Sequence, residues 1–507
     1  MRIKVTLLLS LLLLVIFNPH QANIVPSTST ALAEERASTL SQNANLDERI
    51  RRVEDGLLYA VDIQEKLRTK MSLADRMKFW RVPGVSIAVI NNNKIEWACG
   101  YGVKEAGSND PVTTETLFQA ASISKPVTAM AVLRLVQEGK LNLDEDINKK
   151  LVSWKMPENE FTQHEKVTLR RLLSHSAGLT RSYVGEFTYG ENLPTLVEAL
   201  EGKDNLSNPR PVRVEAVPGS RYNYSGGGYS VIQLLLIDVT GKPFPTIMKE
   251  TVLDRIEMKH SIFAQPLPKE LWSQAATGHR ANGEKLAGKG LTHIEMAAGG
   301  LWTTAVDLAR FAIEIQQARA GRSKVLSKEM ASQMLTVHSG MAGLGLDLIG
   351  EGATAHFMHG GINRGFQSLL VAYNDLGQGA VIMTNADNGQ LIAMEIFRSI
   401  AKEYGWQDSF AVKERAIAKV DSKIYDVYIG QYTFPSGRIL NVTVENGKLM
   451  AEQANFPKYQ LFPTSESEFF ARELDGFEYK FVRDGNGNIS ELTELLRGRK
   501  NIARKTK

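Results

Sequence analysis

At 507 residues, 43% hydrophobic and 23% charged, the chain is too long for one ordinary domain and too apolar for a disordered protein. Its formal net charge of +4 does not point to nucleic acid, because the basic excess sits at the ends: Arg2 and Lys4 first, then six basic and no acidic residues in the final RGRKNIARKTK. The single cysteine, Cys99, excludes an internal disulfide framework; it falls in a strand-like segment and reads as a core filler.

Residues 1–33 read as a secretory signal, with Arg2 and Lys4 ahead of an apolar run from Val5 to Phe17 and small residues at Ala31-Leu32-Ala33 or Ala22 for cleavage. The run is shorter than the roughly 20 residues that span a bilayer, which makes a retained anchor the lesser alternative. The expected location is the bacterial periplasm or cell exterior, with no stable membrane span after signal removal. Residues 34–80 form a polar, helix-prone extension with one amphipathic stretch, LDERIRRVEDGLLYAV. From Pro83, PGVSIAVI and KIEWACGYGV flank an Asn-rich turn and predict a hairpin. A helix carrying Lys125 follows, with Pro126 in its first turn and Gly139 as its stop. VTLRRLLSHSAGL (167–179), GGYSVIQLLLIDVTGK (227–242) and AAGGLWTTAVDLARFAIEIQQA (297–318) predict further helices, the last with Thr303 or Thr304 as N-cap. FQSLLVAYNDLGQGAVIMTNA (366–386) predicts two strands, followed by a closing helix that contains Ser399. Strands, then helices, then strands imply an α+β layout in which the first and last strands pair in one antiparallel sheet. Beyond about residue 415, turn formers at Asn446-Gly447 and Asp484-Gly485-Asn486-Gly487 predict a separate antiparallel β-domain at 420–496. A solvated, disordered basic tail is expected at 497–507.

The chemistry concentrates at Ser122-Ile123-Ser124-Lys125. On a helix, positions i and i+3 share a face, so this Ser-x-x-Lys pattern brings a hydroxyl to an amine. A lysine with the free pKa of roughly 10.4 is no base near neutrality until burial or a neighbouring cation lowers it. Ser399-Ile400-Ala401-Lys402 repeats the pattern within an ordinary amphipathic helix, whereas Ser122 follows Ala120 and Ala121 at a helix start, where free N–H groups can meet an oxyanion. PGSRYNYSGGGYS (218–230) offers tyrosines on a Gly-rich loop, as a proton shuttle or as a structural turn. HGGINRGFQSLL (359–370) offers a histidine and two glycines before an apolar strand, where a substrate chain can lie along the edge. A His356-x-x-His359 metal pair is the alternative there, but no cluster completes it; neither metal nor cofactor is expected.

In this order and spacing the three elements resemble the serine β-lactamase and DD-peptidase superfamily, nearest to its branch of class C β-lactamases, DD-carboxypeptidases, D-aminopeptidases and related esterases. The resemblance covers about residues 80–405 and includes LLSHSAGL, PGSRYNYSGGGY followed by VTGKPF, and AAGGLWTTAVDLARF. It implies an antiparallel sheet flanked by helices, with an all-helical subdomain, over 81–412. It also implies Ser122 as acylated nucleophile, Lys125 as its activating partner and Tyr224 as base and proton shuttle. The backbone N–H groups of Ser122 and Ile362 would form the oxyanion hole, with His359, Gly361, Gly226 and Arg364 facing substrate. His338-Ser339-Gly340 also fits the His-x-Gly pattern but lacks the following strand pair. Two positions depart from the family: Gly226 replaces an asparagine that holds the acyl amide, and His359 replaces a lysine, carrying full charge only below roughly pH 6.5. Arg364 offers a carboxylate contact instead, or is a solvated turn residue. The expectation is an exported serine hydrolase that cleaves an amide or ester of a small molecule or peptide. D-peptidase, DD-carboxypeptidase, esterase and weak β-lactamase activities stay open, as does peptidoglycan as a partner; nucleic acid does not. The alternative is a degenerate penicillin-binding-like protein that binds peptide or peptidoglycan. The β-domain resembles small barrel-like extensions of some relatives, which reach over the active site or mediate association.

Overall fold

The computed structural model describes residues 44–64, 71–180, 185–203, 210–406, 410–474, 476–496 and 499–507; the expected signal at 1–33 lies outside them. The central sheet has six strands: β1 (Gly84–Asn91), β2 (Lys94–Gly102), β3 (Asp347–Ile349), β4 (His356–Asn363), β5 (Phe366–Tyr373) and β6 (Gly379–Thr384). Their order is β2-β1-β6-β5-β4-β3, and every pair is antiparallel. The first hairpin and the last strands meet as expected, Val85 opposite Thr384 and Ile90 opposite Gly379. Asn92 and Asn93 turn the first hairpin with φ of 51° and 58°, the left-handed pair a two-residue hairpin favours and asparagine tolerates.

Alternation along β1 splits two cores. Val85, Ile87 and Val89 face α1 (Leu73–Trp80) and α5 (Gly389–Glu403), while Ala88 and Ile90 face a helical layer. That layer holds α2 (Ser124–Gln137), α3 (Gly226–Thr240) and α4 (Ala305–Arg319). Helix α2 is buried without interruption from Ser124 to Leu133, so it is a core helix rather than an amphipathic surface one. Thr304 caps α4 by accepting from Asp307 N. The helix expected over 167–179 is confined to Leu169–Leu173. Ser174 Oγ bonds back to Arg170 O, and His175 takes a φ of 54°, which ends the helix. Among the described residues no single helix is long and apolar enough to cross a membrane.

The C-terminal unit is a closed eight-stranded barrel: β7 (Gly430–Thr433), β8 (Ile439–Glu445), β9 (Lys448–Gln453), β10 (Tyr459–Pro463), β11 (Glu468–Phe470), β12 (Phe477–Arg483), β13 (Ile489–Leu496) and β14 (Arg499–Lys505). The expected disordered basic tail is therefore corrected. Residues 499–505 form the closing strand, pairing with β13 along its length and with β7 at Tyr432 and Thr433, so the domain runs past residue 496. The reason is that closure removes both sheet edges while fully burying one side chain of this strand, Ala503. Its basic side chains are exposed, apart from the half-buried Lys505, and mask the pattern. The barrel meets the rest of the chain through Phe456 on Trp80 (ring centroids 5.3 Å), Arg472 on Asp62 (3.1 Å) and a cluster of Phe462 and Phe470 with Val61 and Ile63. Trp80 belongs to α1, on the sheet face away from α2.

Candidate active site

The turn that carries Ser122 is held in an uncommon shape. Phe118 and Gln119 pair with Trp302 and Thr303, and Ala120 N donates to Leu301 O at 2.9 Å. At Ala121 the chain takes a φ of 52°, a conformation non-glycine residues rarely adopt and which the surroundings must enforce. A 3₁₀ turn, Ala121–Ile123, then feeds α2. Ser124 staples it: its Oγ donates to Ala121 O at 2.6 Å and accepts from Leu301 N at 3.0 Å. Ser122 is left half-exposed, with its N–H ahead of the first bond of the turn, Ile123 N to Ala120 O at 3.2 Å.

Two groups converge on the Ser122 hydroxyl. Lys125 Nζ lies 3.0 Å from Ser122 Oγ and donates to Ala298 O at 2.8 Å. The Tyr224 hydroxyl donates to Ser122 Oγ at 3.0 Å. Lys125 is 3% exposed, and burial pulls its amine down to about 7, with Glu295 opposing. Tyr224 moves the other way: burial pushes its hydroxyl up to about 12, the Ser122 hydrogen bond opposing and the Asp347 charge adding. Lys125 is thus the better proton acceptor near neutrality and Tyr224 a standing donor. The tyrosine is positioned by His175, whose ring lies on it at 4.2 Å between centroids. His175 Nδ1 accepts from Ser225 N at 3.2 Å and its carbonyl accepts from Asn223 N at 2.7 Å, so it grips both neighbours of Tyr224. Burial, then Lys125, push the His175 imidazole well below its ordinary value.

Strand β4 supplies the opposite wall. Its partner β3 covers only His356 to Met358, leaving the edge from His359 onward beside the Ser122 turn. Thr384 Oγ1 donates to Gln367 O on the β6 side. Gln367 and Ile362, opposite each other, are therefore a non-hydrogen-bonded pair, and the Ile362 N–H points to the open edge. The Ile362 side chain is 55% exposed, which leaves that edge accessible. Gly361 is required by contact: a Cβ there would lie 2.2 Å from both Ala120 O and Ser368 Oγ. His359 is buried, its Nδ1 2.7 Å from Gly360 O. Burial and the Lys125 charge take its imidazole down to about 4, the Gly360 carbonyl opposing, so near neutrality it is uncharged. Arg364, in the following turn, is paired with Glu186 at 3.2 Å. Gly226 opens α3, where the N-cap Ser225 accepts from Gly228 N; it brings no side-chain amide.

The structure separates the rival motifs from this site. Ser399 Oγ donates to Val53 O at 2.9 Å and Lys402 is exposed. His338-Ser339-Gly340 lies in a loop after the helix Lys328–Met334 and not on a strand. His356 and His359, three apart, face opposite sides of β4, and among the described residues no group of three or more His, Cys, Asp or Glu is placed to hold a metal. A cavity of about 810 Å³ between α1 and β2, lined by Met77, Tyr101 and His279, shares no residue with this site. Sequence reasoning missed the Ala121 strain, the Ser124 staple, the Ala298 carbonyl and the packing of His175 on Tyr224. Of these only His175 left a signal, as part of LLSHSAGL.

The family model described as Beta-lactamase matches residues 73–402, and one described as Domain of unknown function (DUF3471) matches 414–499. Protein flp of Staphylococcus aureus (strain N315) is 28% identical over 189 residues, 36% of this chain; the match spans only 35% of that protein's length. Penicillin-binding protein 4* of Bacillus subtilis (strain 168) is 23% identical over 394 residues, 74% of this chain and 84% of that one. Among solved structures, the octameric penicillin-binding protein homologue from Pyrococcus abyssi superposes with a TM-score of 0.54 at 22% identity, over 85% of this chain and 98% of that one. SurE with D-Leu gives 0.52 at 20% identity, over 86% and 97%. The structural likenesses are likenesses of fold.

Proposed function

The chain belongs to the Beta-lactamase family, whose relatives are serine hydrolases that work through an acyl-enzyme, and on that premise we propose that it is an exported hydrolase of amide or ester bonds with Ser122 as nucleophile. The observation that carries this is the convergence of Lys125 Nζ and the Tyr224 hydroxyl on Ser122 Oγ, each at 3.0 Å. With its amine near 7 and one N–H anchored on Ala298 O, Lys125 presents a lone pair to the serine proton. Ser122 Oγ then bonds to the substrate carbonyl carbon, its proton passing to Lys125. The oxyanion lies between the N–H groups of Ser122 and Ile362. Collapse expels the leaving group, which takes its proton from Tyr224, and Lys125 returns one to the tyrosine. A water repeats the sequence to free the acid.

The substrate classes in reach are D-peptides, DD-carboxypeptidase substrates and esters, with peptidoglycan as the macromolecular form. Gly226 and the uncharged His359 weaken the grip on a β-lactam's amide and carboxylate, so nitrocefin turnover is expected to be slow beside ester turnover. Export rests on Arg2, Lys4 and the apolar run from Val5 to Phe17, and deletion of residues 1–33 should trap the protein inside the cell. A fluorophosphonate should label the wild type and not Ser122→Ala; a label persisting on Ser122→Ala overturns the assignment. Failure of every acylating probe on folded protein would instead favour a degenerate binding protein, the reading that the loss of the asparagine at Gly226 supports.

A further inference from the structure

The oxyanion hole proposed above takes one N–H from each of two separate elements, the Ser122 turn and β4, and its width is the distance between them. Among the described residues one edge of β4 has no strand partner beyond Met358, so side chains must fix that distance. His359, Gly361 and Asn363 alternate onto the buried face of the strand, while Ile362 between them is exposed. Gly361 has no side chain to offer, and His359 Nδ1 lies on Gly360 O, its own neighbour. Asn363, which directly follows Ile362 and is 6% exposed, reaches across.

The Asn363 amide nitrogen lies 3.1 Å from Gln119 Oε1, 3.1 Å from Gly299 O and 2.9 Å from His293 Nε2. Its neighbours fix its orientation. Gln119 Nε2 donates to Leu291 O at 2.6 Å, which turns the Gln119 oxygen toward Asn363, and Gly299 O can only accept. A flipped Asn363 amide would set an oxygen against both. The same nitrogen faces His293, so Nε2 there is the bare nitrogen of a neutral ring. Burial and the Lys125 charge, which take that imidazole down to about 4, agree. Each tie ends at a part of the machinery. Gln119 stands three residues before Ser122 and pairs with Trp302 at the entry to its turn. Gly299 follows Ala298, whose carbonyl anchors Lys125. Asn363 thus joins the strand of the Ile362 N–H, the turn of the Ser122 N–H and the anchor of the lysine.

We propose, resting on the acyl-enzyme reading above, that Asn363 is a positioning residue whose amide N–H groups clamp β4 to the Ser122 turn and to the Lys125 anchor, and so set the width of the oxyanion hole. It touches no reacting atom. The clamp acts on the tetrahedral oxyanion, which needs both N–H groups at once, and little on the ground-state carbonyl. Its loss therefore falls on kcat and spares KM.

Three variants test it. Asn363→Asp keeps the size and loses the donors, Asn363→Ala removes the side chain, and Gln119→Met removes one acceptor with Asn363 in place. Each is assayed for p-nitrophenyl butyrate turnover, for the rate of fluorophosphonate labelling, and for inhibition by phenylboronic acid, whose tetrahedral adduct on Ser122 puts an oxygen in the hole. Both Asn363 variants should lose about 10–100-fold in kcat with KM within about twofold of wild type. The labelling rate should fall, and the boronate Ki rise, by a similar factor. Gln119→Met should show a smaller loss of the same kind. A kcat and labelling rate within about twofold of wild type in folded Asn363→Ala, with any loss confined to the melting temperature, overturns the proposal. So does a rise in KM that matches the fall in kcat. Should neither Asn363 variant fold, unchanged turnover and labelling in Gln119→Met overturn it. The wild type separates the two readings. If Ser122 takes the label and Asn363→Ala is unimpaired, the clamp alone is lost; if the wild type shows neither label nor hydrolysis, the acyl-enzyme reading beneath it falls.

Discussion

Ser122-Ile123-Ser124-Lys125 and Ser399-Ile400-Ala401-Lys402 differ at one position, and each puts a serine one helical turn before a lysine. In α5 the serine spends its proton on Val53 O and the lysine reaches solvent, so the first is a tether and the second an ordinary surface cation. At the head of α2 the lysine is buried, its nitrogen held between Ser122 Oγ and Ala298 O. The serine also stands differently. Within a helix the N–H of residue i is committed to the carbonyl four residues back, whereas Ser122 precedes the first bond of its turn and keeps its N–H for an oxyanion. Spacing supplies proximity alone. Lysine burial, an enforced backbone at Ala121 and a second hydroxyl from Tyr224 distinguish the copy proposed to be reactive.

The largest expected effect breaks the two copies apart. Ser122→Ala should lower kcat at least about ten-thousandfold and abolish covalent labelling, read by intact mass after fluorophosphonate treatment. Tyr224→Phe, which leaves the packing on His175 but removes the donor, should cost about 10²–10⁴ in kcat. A near-wild-type rate would remove Tyr224 from the mechanism. Gly361→Ala should follow. Its Cβ would press on a backbone oxygen, Ala120 O, and on Ser368 Oγ, each 2.2 Å away, so β4 and the Ser122 turn must separate. A displacement of this kind costs about a hundredfold in kcat/KM, while the melting curve stays cooperative.

How far the sequence carried the reading depends on how each element encodes itself. The sheet was legible because its strands are apolar runs broken by asparagine and glycine, and the first hairpin and β5–β6 came out at nearly their observed limits. The site was legible where side chains meet: Ser122, Lys125 and Tyr224 are brought together, and Gly361 and Ile362 line the edge. It was illegible where the backbone or the environment does it. Nothing local in QAASIS announces that Ala121 is left-handed, since the cause lies at Leu301, far along the chain. The neutral state of His359 follows from burial and from Lys125, neither of which is local. The segment ending in His175 looked helical by composition, yet it leaves the helix to grip Asn223 and Ser225. Strand β14 hid for the opposite reason: only Ala503 is buried, so the strand shows no apolar alternation.

The lysines give a comparison in stability as well as rate. With Lys125 near 7, its fraction of free base falls about tenfold per pH unit below that point, and the acylation rate should fall with it. The fold responds too. In the unfolded chain the amine titrates near 10.5, so between about 7 and 10.5 the unfolded state binds more protons and stability rises with pH. Burying the lysine therefore costs most at and below about pH 7, and the cost vanishes above about 10.5. Lys125→Met should accordingly raise the melting temperature at pH 6, with a gain that shrinks toward pH 10, while losing activity. Lys402→Met, at an exposed position, should show no such slope. Equal pH dependence in the two variants would show that Lys125 is not desolvated in solution.

Ser399→Ala carries the smallest effect and closes the comparison from the other side. The hydroxyl donates one hydrogen bond, to Val53 O at 2.9 Å, in the helix over 44–54 that packs on α5. Removing the donor leaves the Val53 carbonyl with the Gly56 N–H at 3.3 Å alone, a loss of about 1 kcal/mol for a bond between neutral groups. Gly56 lies close by, since a Cβ there would be 3.5 Å from Ser399 Oγ, so the vacated space is small and adds little cavity cost. Chemical denaturation should therefore show a shifted midpoint with an unchanged slope, while kcat and fluorophosphonate labelling stay within about twofold of wild type. A fall in labelling with the fold intact would mean that the second motif, and not the first, takes the acyl group.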